Sequence, residues 1–218
     1  MGTDTRGWKD AIYEQFGRIG KALSSPRRLE ILDLLSQGPK NVETLVLETG
    51  MSVANVSQHL QTLLQARLVQ FDKQGTYAVY QLSNAKISAL LLLIQAIGED
   101  LLAEVRLLRD EFLSNRDSFE PLTLDELKAR MDMDEVYLID VRPKEEFEYG
   151  HIPGAFSIPV KELADHLSSI DTNRPVVAYC RGRYCMYAVE AVEMLREHGI
   201  HAIRIDEGVR EWNQEPIH

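Results

Sequence analysis

Apolar residues recur at three- and four-residue spacing through most of the first half of the chain, and this spacing predicts helices with one buried face. The first covers residues 8–23. A second opens at Ser25, a capping residue followed by Pro26 at the first helical position. Leu29, Ile31, Leu32, Leu34 and Leu35 form its buried stripe, and Gly38-Pro39 ends it. A short helix over 41–49 stops at Gly50. Ser52 then caps a helix over 53–65 that buries Val56, Leu60, Leu63 and Leu64, leaving Asn55, Ser57, Gln58, His59, Gln61 and Thr62 on its other faces. Residues 68–82 change to alternation on either side of Lys73-Gln74-Gly75, the pattern of a hairpin. Helical spacing returns over 84–113 in one long helix.

The helical pattern breaks over 114–123, and the period then changes. Short β-branched and apolar runs at 136–141, 155–158, 176–179 and 202–205 alternate with helical segments at 123–131, 145–149, 160–168, 186–198 and 209–212. Strands and helices in alternation predict a parallel sheet covered by helices, whose chemistry belongs in the loops at the C-terminal strand ends. The expected organisation is therefore multidomain, α followed by α/β: a domain over 1–115, a linker over 116–122 and a domain over 123–218. No internal repeat or low-complexity tract is present.

Charge sharpens this division. The net charge of -10 over 218 residues argues against nucleic-acid binding for the chain taken whole. Residues 1–115, however, hold 12 basic against 13 acidic side chains, so nearly all the acidity lies in the second half. Within 17–86 there are 8 basic against 5 acidic side chains, which suits a phosphate-facing module or a merely solvated helical face. The exposed early turns of the 53–65 helix are short, polar and almost uncharged. Ser52, Asn55, Ser57, Gln58 and His59 could contact base edges and phosphates, the turn at Gly50 suits a helix-turn-helix, and the hairpin reads as a wing placing Lys73 at a flanking groove. A helix that is only surface-polar is the competing reading. The most apolar run, 89–97, is too short to span a bilayer, and the first residues lack an apolar signal core, so a cytoplasmic location is expected.

Cysteine occurs only twice, at Cys180 and Cys185, where the 176–179 strand hands over to a helix. A thiol there meets unpaired N–H groups and the positive end of a helix dipole, both of which favour thiolate, and Arg181 and Arg183 add positive charge. The expectation is an ionised, accessible Cys180. A pair of structural thiols is the plainer alternative.

The first half resembles the ArsR/SmtB-type winged-helix repressors, through Ser25-Pro-Arg-Arg-Leu-Glu-Ile-Leu, Met51-Ser-Val-Ala-Asn-Val-Ser-Gln-His-Leu, Leu64-Gln-Ala-Arg-Leu-Val and the Gly75-containing wing. The resemblance implies a recognition helix over 53–65 in the major groove of double-stranded operator DNA, and pairing of two subunits through the first and last helices. Leu90, Leu91, Leu93, Ile94, Ile97, Leu101, Leu102, Val105, Leu108 and Phe112 give the last helix more apolar surface than one small domain hides, which also points to a homodimer. Many members sense metals through cysteines before the recognition helix. Residues 43–48 have none, and His59 with Glu43 or Glu48 makes no ligand set, so no metal is expected.

Residues 120–214 resemble a single rhodanese domain, through Leu138-Ile-Asp-Val-Arg, Glu146-Phe-Glu-Tyr-Gly-His-Ile-Pro-Gly-Ala, the strand and loop from Val176 to Cys185, and Glu207-Gly-Val-Arg-Glu-Trp. This implies that Cys180 takes sulfane sulfur as a persulfide, cradled by the amides of Arg181, Gly182, Arg183, Tyr184, Cys185 and Met186, and passes it on without a cofactor. Arg181 and Arg183 would attract an anionic donor such as thiosulfate or polysulfide. Asp140 and Arg142 read as supporting groups and His151 as a loop-fixing hydrogen-bonder. The loop Cys-Arg-Gly-Arg-Tyr-Cys is one residue shorter than a phosphatase loop and carries Met186 where that loop has its arginine. Cys185 either replaces a small polar residue or resolves the persulfide. Three functions remain open: a regulator with a catalytic or sensory rhodanese domain, a sulfurtransferase whose helical half dimerises, and a silent domain used for interaction.

Overall fold

A computed structural model describes residues 5–114 and 121–213. The chain forms two compact units, Met1–Ile94 and Gln95–His218. Most of the linker expected over 116–122 lies outside the described residues, although Leu122 forms a parallel bridge to Ile205.

The helices open with α1 (Thr5–Leu23) and α2 (Pro26–Ser36). They are followed by a two-residue strand β1 (Lys40–Asn41), α3 (Val42–Thr49), α4 (Val53–Gln65), β2 (Val69–Gln74), β3 (Tyr77–Leu82) and α5 (Ala85–Leu101). Ile31, Leu32, Leu34, Leu35, Leu45, Val56, Leu60 and Leu63 are buried in one core. The i, i+3, i+4 spacing thus becomes a shared interior for α2, α3 and α4. Pro26 starts α2, but the Ser25 side chain makes no capping bond there. Caps do form further on: Asn41 accepts from the Thr44 amide at 2.8 Å and Ser52 from the Asn55 amide at 3.3 Å. Gly50, at φ 65°, makes the left-handed turn between α3 and α4.

Three differences from the sequence pattern have local causes. The hairpin turns at Gly75-Thr76, so Lys73 sits within β2 opposite Ala78. β1, too short to register in the pattern, pairs antiparallel with β3. The long helix expected over 84–113 is two helices, α5 and α6 (Ala103–Ser114), interrupted at Leu102. At the interruption the Arg106 guanidinium binds the carbonyls of Glu99 and Asp100, and so a side chain takes over acceptors at the end of α5. The side chain of Phe112 lies outside the described residues.

The rest of the second unit runs α7 (Leu124–Asp132), β4 (Tyr137–Asp140), α8 (Lys144–Tyr149), β5 (Phe156–Ser157), α9 (Leu163–His166), β6 (Val176–Tyr179), α10 (Tyr187–Glu197), β7 (Ala202–Arg204) and α11 (Val209–Trp212). A complete capping box starts α7, with Thr123 and Glu126 exchanging bonds. The helix expected over 160–168 holds α geometry only in α9, flanked by 3-10 turns at Val160–Glu162 and Leu167–Ser169. The four strands form a parallel sheet in the order β5-β4-β6-β7. Alternation along β6 sends Val176 and Ala178 into one apolar core and Val177 and Tyr179 into the other, so both faces are covered. Cys180, the next residue, falls on the Val176–Ala178 side. The thiol is thereby delivered to a loop mouth with its side chain turned toward the core.

Candidate functional site

Cys180 leaves the C-terminal end of β6 and Cys185 lies just before α10. The loop between them is closed by the Cys185 amide donating to the Gly182 carbonyl at 3.0 Å, with Gly182 at φ 125°, a backbone region that favours glycine. Both cysteines are free thiols and line one cavity of about 510 Å³, together with Arg183, Met186, Val189 and Ile205.

The expectation of an accessible, ionised Cys180 does not hold in this conformation. Cys180 is only 2% exposed. Its Sγ stands 3.4 Å from the Cys185 carbonyl oxygen and 3.9 Å from that of Gly182, so acceptors as well as amides face the sulfur. Burial pushes its pKa well above the ordinary thiol value, and donation of its S–H to Cys185 pushes the same way, against the Ala188 and Gly182 amides. Cys185 is partly exposed and shifts in the opposite direction. It is held below the ordinary value because it accepts the Cys180 S–H; the Arg181 and Tyr187 amides and the Arg181 charge reinforce this against burial. The amides expected to serve Cys180 alone are divided between two sulfurs, and two of them belong to the first turn of α10.

The loop arginines are paired. Arg181 binds both carboxylate oxygens of buried Glu146, with contacts of 2.6–3.1 Å, and lies over the Tyr187 ring at 5.2 Å. Arg183 binds Glu99, whose other oxygen accepts from the Tyr184 hydroxyl at 2.9 Å and from Arg109 at 3.0 Å. Burial opposes the ionisation of Glu99, yet Tyr184 and Arg183 hold its pKa below the ordinary carboxylate value. Tyr184 is pushed up to about 12, first by burial and then by Glu99. An incoming anion therefore meets arginines already engaged with carboxylates, which corrects the picture of two free anion attractors.

Behind the loop lies a second polar cluster. Arg142 and Asp140 form a buried, two-pronged ion pair with contacts of 2.6–3.1 Å, and Arg142 also donates to the Gly150 carbonyl at 2.7 Å. The Tyr179 hydroxyl accepts from the Ile152 amide at 3.0 Å, and burial raises its pKa. His151 shares a hydrogen bond with the Phe147 carbonyl at 3.0 Å and stacks on the Phe147 ring, at the surface. From the other side, Arg210 donates to the Arg181 carbonyl at 3.2 Å, and Gly208 lies so close that an added Cβ would stand 2.6 Å from the Cys180 carbonyl oxygen. Sequence reasoning missed Glu99, Glu146, Tyr179 and Gly208. For Glu146 and Gly208 the only signal was their place in the rhodanese-like motifs, and for Glu99 there was none.

In the first unit, Ser52, Asn55 and Gln58 are exposed along α4, while Ser57 and His59 are partly covered. Lys73 is exposed on β2. These side chains belong to the first unit and the cysteine loop to the second. Among the described residues, no group of three or more His, Cys, Asp or Glu side chains could hold a metal, and no helix is long and apolar enough to cross a membrane.

Fold and site define a winged helix-turn-helix regulator joined to a rhodanese-like domain. The family model for the bacterial regulatory protein, arsR family, matches residues 25–70, and that for the rhodanese-like domain matches 123–215. The chain is 41% identical over 204 residues to the HTH-type transcriptional regulator Rv0324 of Mycobacterium tuberculosis, covering 94% of this chain and 89% of that protein. It therefore belongs to the ArsR family of transcriptional regulators, with a rhodanese domain as its C-terminal part. Thiosulfate sulfurtransferase GlpE of Shewanella oneidensis is 29% identical over 98 residues, covering 44% of this chain and 95% of that enzyme. A solution structure of the homodimeric winged helix-turn-helix DNA-binding domain Mb0332 from Mycobacterium bovis is similar at 36% identity. It covers 48% of this chain and 94% of its own, with a TM-score of 0.44.

Proposed function

We propose that this ArsR-family regulator binds operator DNA as a homodimer in the cytoplasm, and that its rhodanese domain takes up sulfane sulfur as a persulfide on Cys180. That persulfide serves as a transfer intermediate, as the signal that changes DNA affinity, or as both. The observation that carries the reading is the joining, in one chain, of an exposed polar recognition helix with a two-thiol loop at the C-terminal edge of a parallel sheet. Ser52, Asn55, Ser57, Gln58 and His59 would meet bases and phosphates, and Lys73 the flanking backbone. Dimerisation is supported by large apolar side chains left exposed on α1 (Trp8, Tyr13, Phe16) and α5 (Leu93, Ile97, Leu101).

The sulfur chemistry is supported by the cavity that both thiols line, by the amides facing them, and by the likeness to a protein named as a thiosulfate sulfurtransferase. Cys180 is buried yet lines that cavity, through which a donor would reach it. The test compares DNA affinity of wild type, Cys180→Ser and Cys185→Ser, with and without polysulfide, by gel shift on the upstream DNA of its own gene. A response in wild type that both variants lose supports a sensor. Equal responses in all three separate the sulfur chemistry from transcription, and absence of salt-sensitive specific binding leaves a sulfurtransferase whose helical half dimerises.

A further inference from the structure

Two parts of the second unit wall the cavity at the cysteine loop. Met186, Val189 and Ile205 line it from the rhodanese domain, and Val105 and Leu108, one helical turn apart on α6, complete the lining. Helix α6 lies outside both family matches, 25–70 and 123–215, so these two side chains are an addition to the rhodanese-like part. The volume of about 510 Å³ is that of a small-molecule site and leaves far more room than a small oxyanion fills. Each arginine that lines the cavity is paired with a carboxylate: Arg109 and Arg183 with Glu99, and Arg204 with Asp206. A doubly charged donor entering here sheds water and meets only neutralised cations, whereas an alkyl chain is stabilised by leaving water. We propose that the sulfur donor is an organic persulfide with an apolar alkyl body, R–S–SH, and that Val105 and Leu108 set this preference. This rests on the reading that Cys180 takes up sulfane sulfur, and it names the donor class and two specificity-determining residues.

Leu108 lines the cavity while staying 68% exposed, and Cys180 lines it while 2% exposed. One cavity thus offers the alkyl chain an apolar wall and offers its outer sulfur the thiol. The Cys180 sulfur attacks the outer sulfur of R–S–SH and a new S–S bond forms on Cys180. The sulfur–sulfur bond of the donor breaks, and the alkyl thiolate leaves with the electron pair and takes up the proton given up by Cys180. The products are a Cys180 persulfide and the alkyl thiol R–SH. No outside oxidant or reductant is needed, because one sulfane sulfur only changes carrier.

Cleavage after Arg181 and Arg183 puts the two cysteines on different tryptic peptides, so loading of Cys180 is measured by itself. The full-length protein is treated with hexyl persulfide, ethyl persulfide or thiosulfate, alkylated to freeze persulfides, digested and followed by mass spectrometry over time. Wild type is expected to gain about 32 Da on Cys180. The gain should come at least about tenfold faster from hexyl than from ethyl persulfide, because each methylene added to the chain leaves water, and faster from hexyl persulfide than from thiosulfate. Val105→Ser combined with Leu108→Ser is expected to cut the hexyl-to-ethyl ratio by at least about fivefold. A wild-type ratio no greater than that for free cysteine, which has no cavity, would overturn the apolar donor while leaving a Cys180 persulfide intact. Faster loading from thiosulfate than from hexyl persulfide overturns it too, and an unchanged ratio in the double variant overturns the part assigned to α6. No gain on Cys180 of wild type from any of the three donors removes the uptake reading itself. Should the double variant misfold, as its thermal melt would reveal, Leu108→Ser at its exposed position carries the same comparison, and the wild-type ratio decides the donor class without any variant.

Discussion

Asp140 and Arg142 lie two positions apart on the chain, yet both are sealed from solvent, with side chains 0% and 1% exposed. Losing one partner strands a buried charge, so Arg142→Ala is expected to lower unfolding free energy by about 3–5 kcal/mol in a urea titration. A change under about 1 kcal/mol would mean that water reaches the pair. The thiols titrate in opposite directions, which gives a pH signature. With Cys185 below the ordinary value of 9.0, its alkylation in wild type is expected to rise with pH and level off below that value, as thiolate replaces thiol. Alkylation of Cys180 should rise only above 9.0, because burial keeps it protonated. Superimposable profiles would contradict that opposition. At this scale the sequence picked out the cysteine pair but placed the lowered pKa on the wrong sulfur. Helix and loop amides argued for a thiolate at Cys180, and the burial that outweighs them comes from a core that includes Ile139, Val141 and Ile158, distant in the chain.

Elements set the loop's shape by bracing it from both sides. Gly208, just before α11, touches the loop backbone, and an added methyl cannot fit 2.6 Å from a carbonyl oxygen. Gly208→Ala is therefore expected to cost about 1–3 kcal/mol and to slow sulfur loading, measured by thermal melt and by labelling. A melt equal to wild type with normal loading would show that the brace gives way freely. Near the end of α5, Glu99 occupies Arg183 and Tyr184. Glu99→Gln should lower the KM for thiosulfate by freeing the Arg183 charge, while costing less than about 1 kcal/mol because Arg183 is 38% exposed. The Glu99 pKa is depressed, so its contribution is fully present above the ordinary value of 4.5 and drains away as pH falls through the lowered one. An unchanged KM would sever Glu99 from donor access. Most elements were legible from spacing alone, including β6 and α11. The break at Leu102 was not, because the Arg106 side chain that takes over the carbonyls of Glu99 and Asp100 competes on equal terms with backbone donors, and apolar periodicity does not register that competition.

For the molecule as a whole, the proposed homodimer and its DNA contacts make separable forecasts. Placing charge in the apolar stripe, as Ile97→Glu with Leu101→Glu, should shift sedimentation from dimer to monomer and abolish specific DNA binding; a monomeric wild type would end the dimer reading. Operator affinity of wild type should fall by at least about tenfold between about 50 and 200 mM salt, by fluorescence anisotropy. The sequence by itself determined the two kinds of domain, the order of their elements, the recognition-type helix and the cysteine loop, because periodicity, caps and short motifs are written in neighbouring residues. Only the tertiary structure decided which thiol is hidden, which has its pKa lowered and which carboxylates claim Arg181 and Arg183. Burial and ion pairing are set by groups such as Glu99, Glu146 and Gly208, which meet the loop only after the chain has folded.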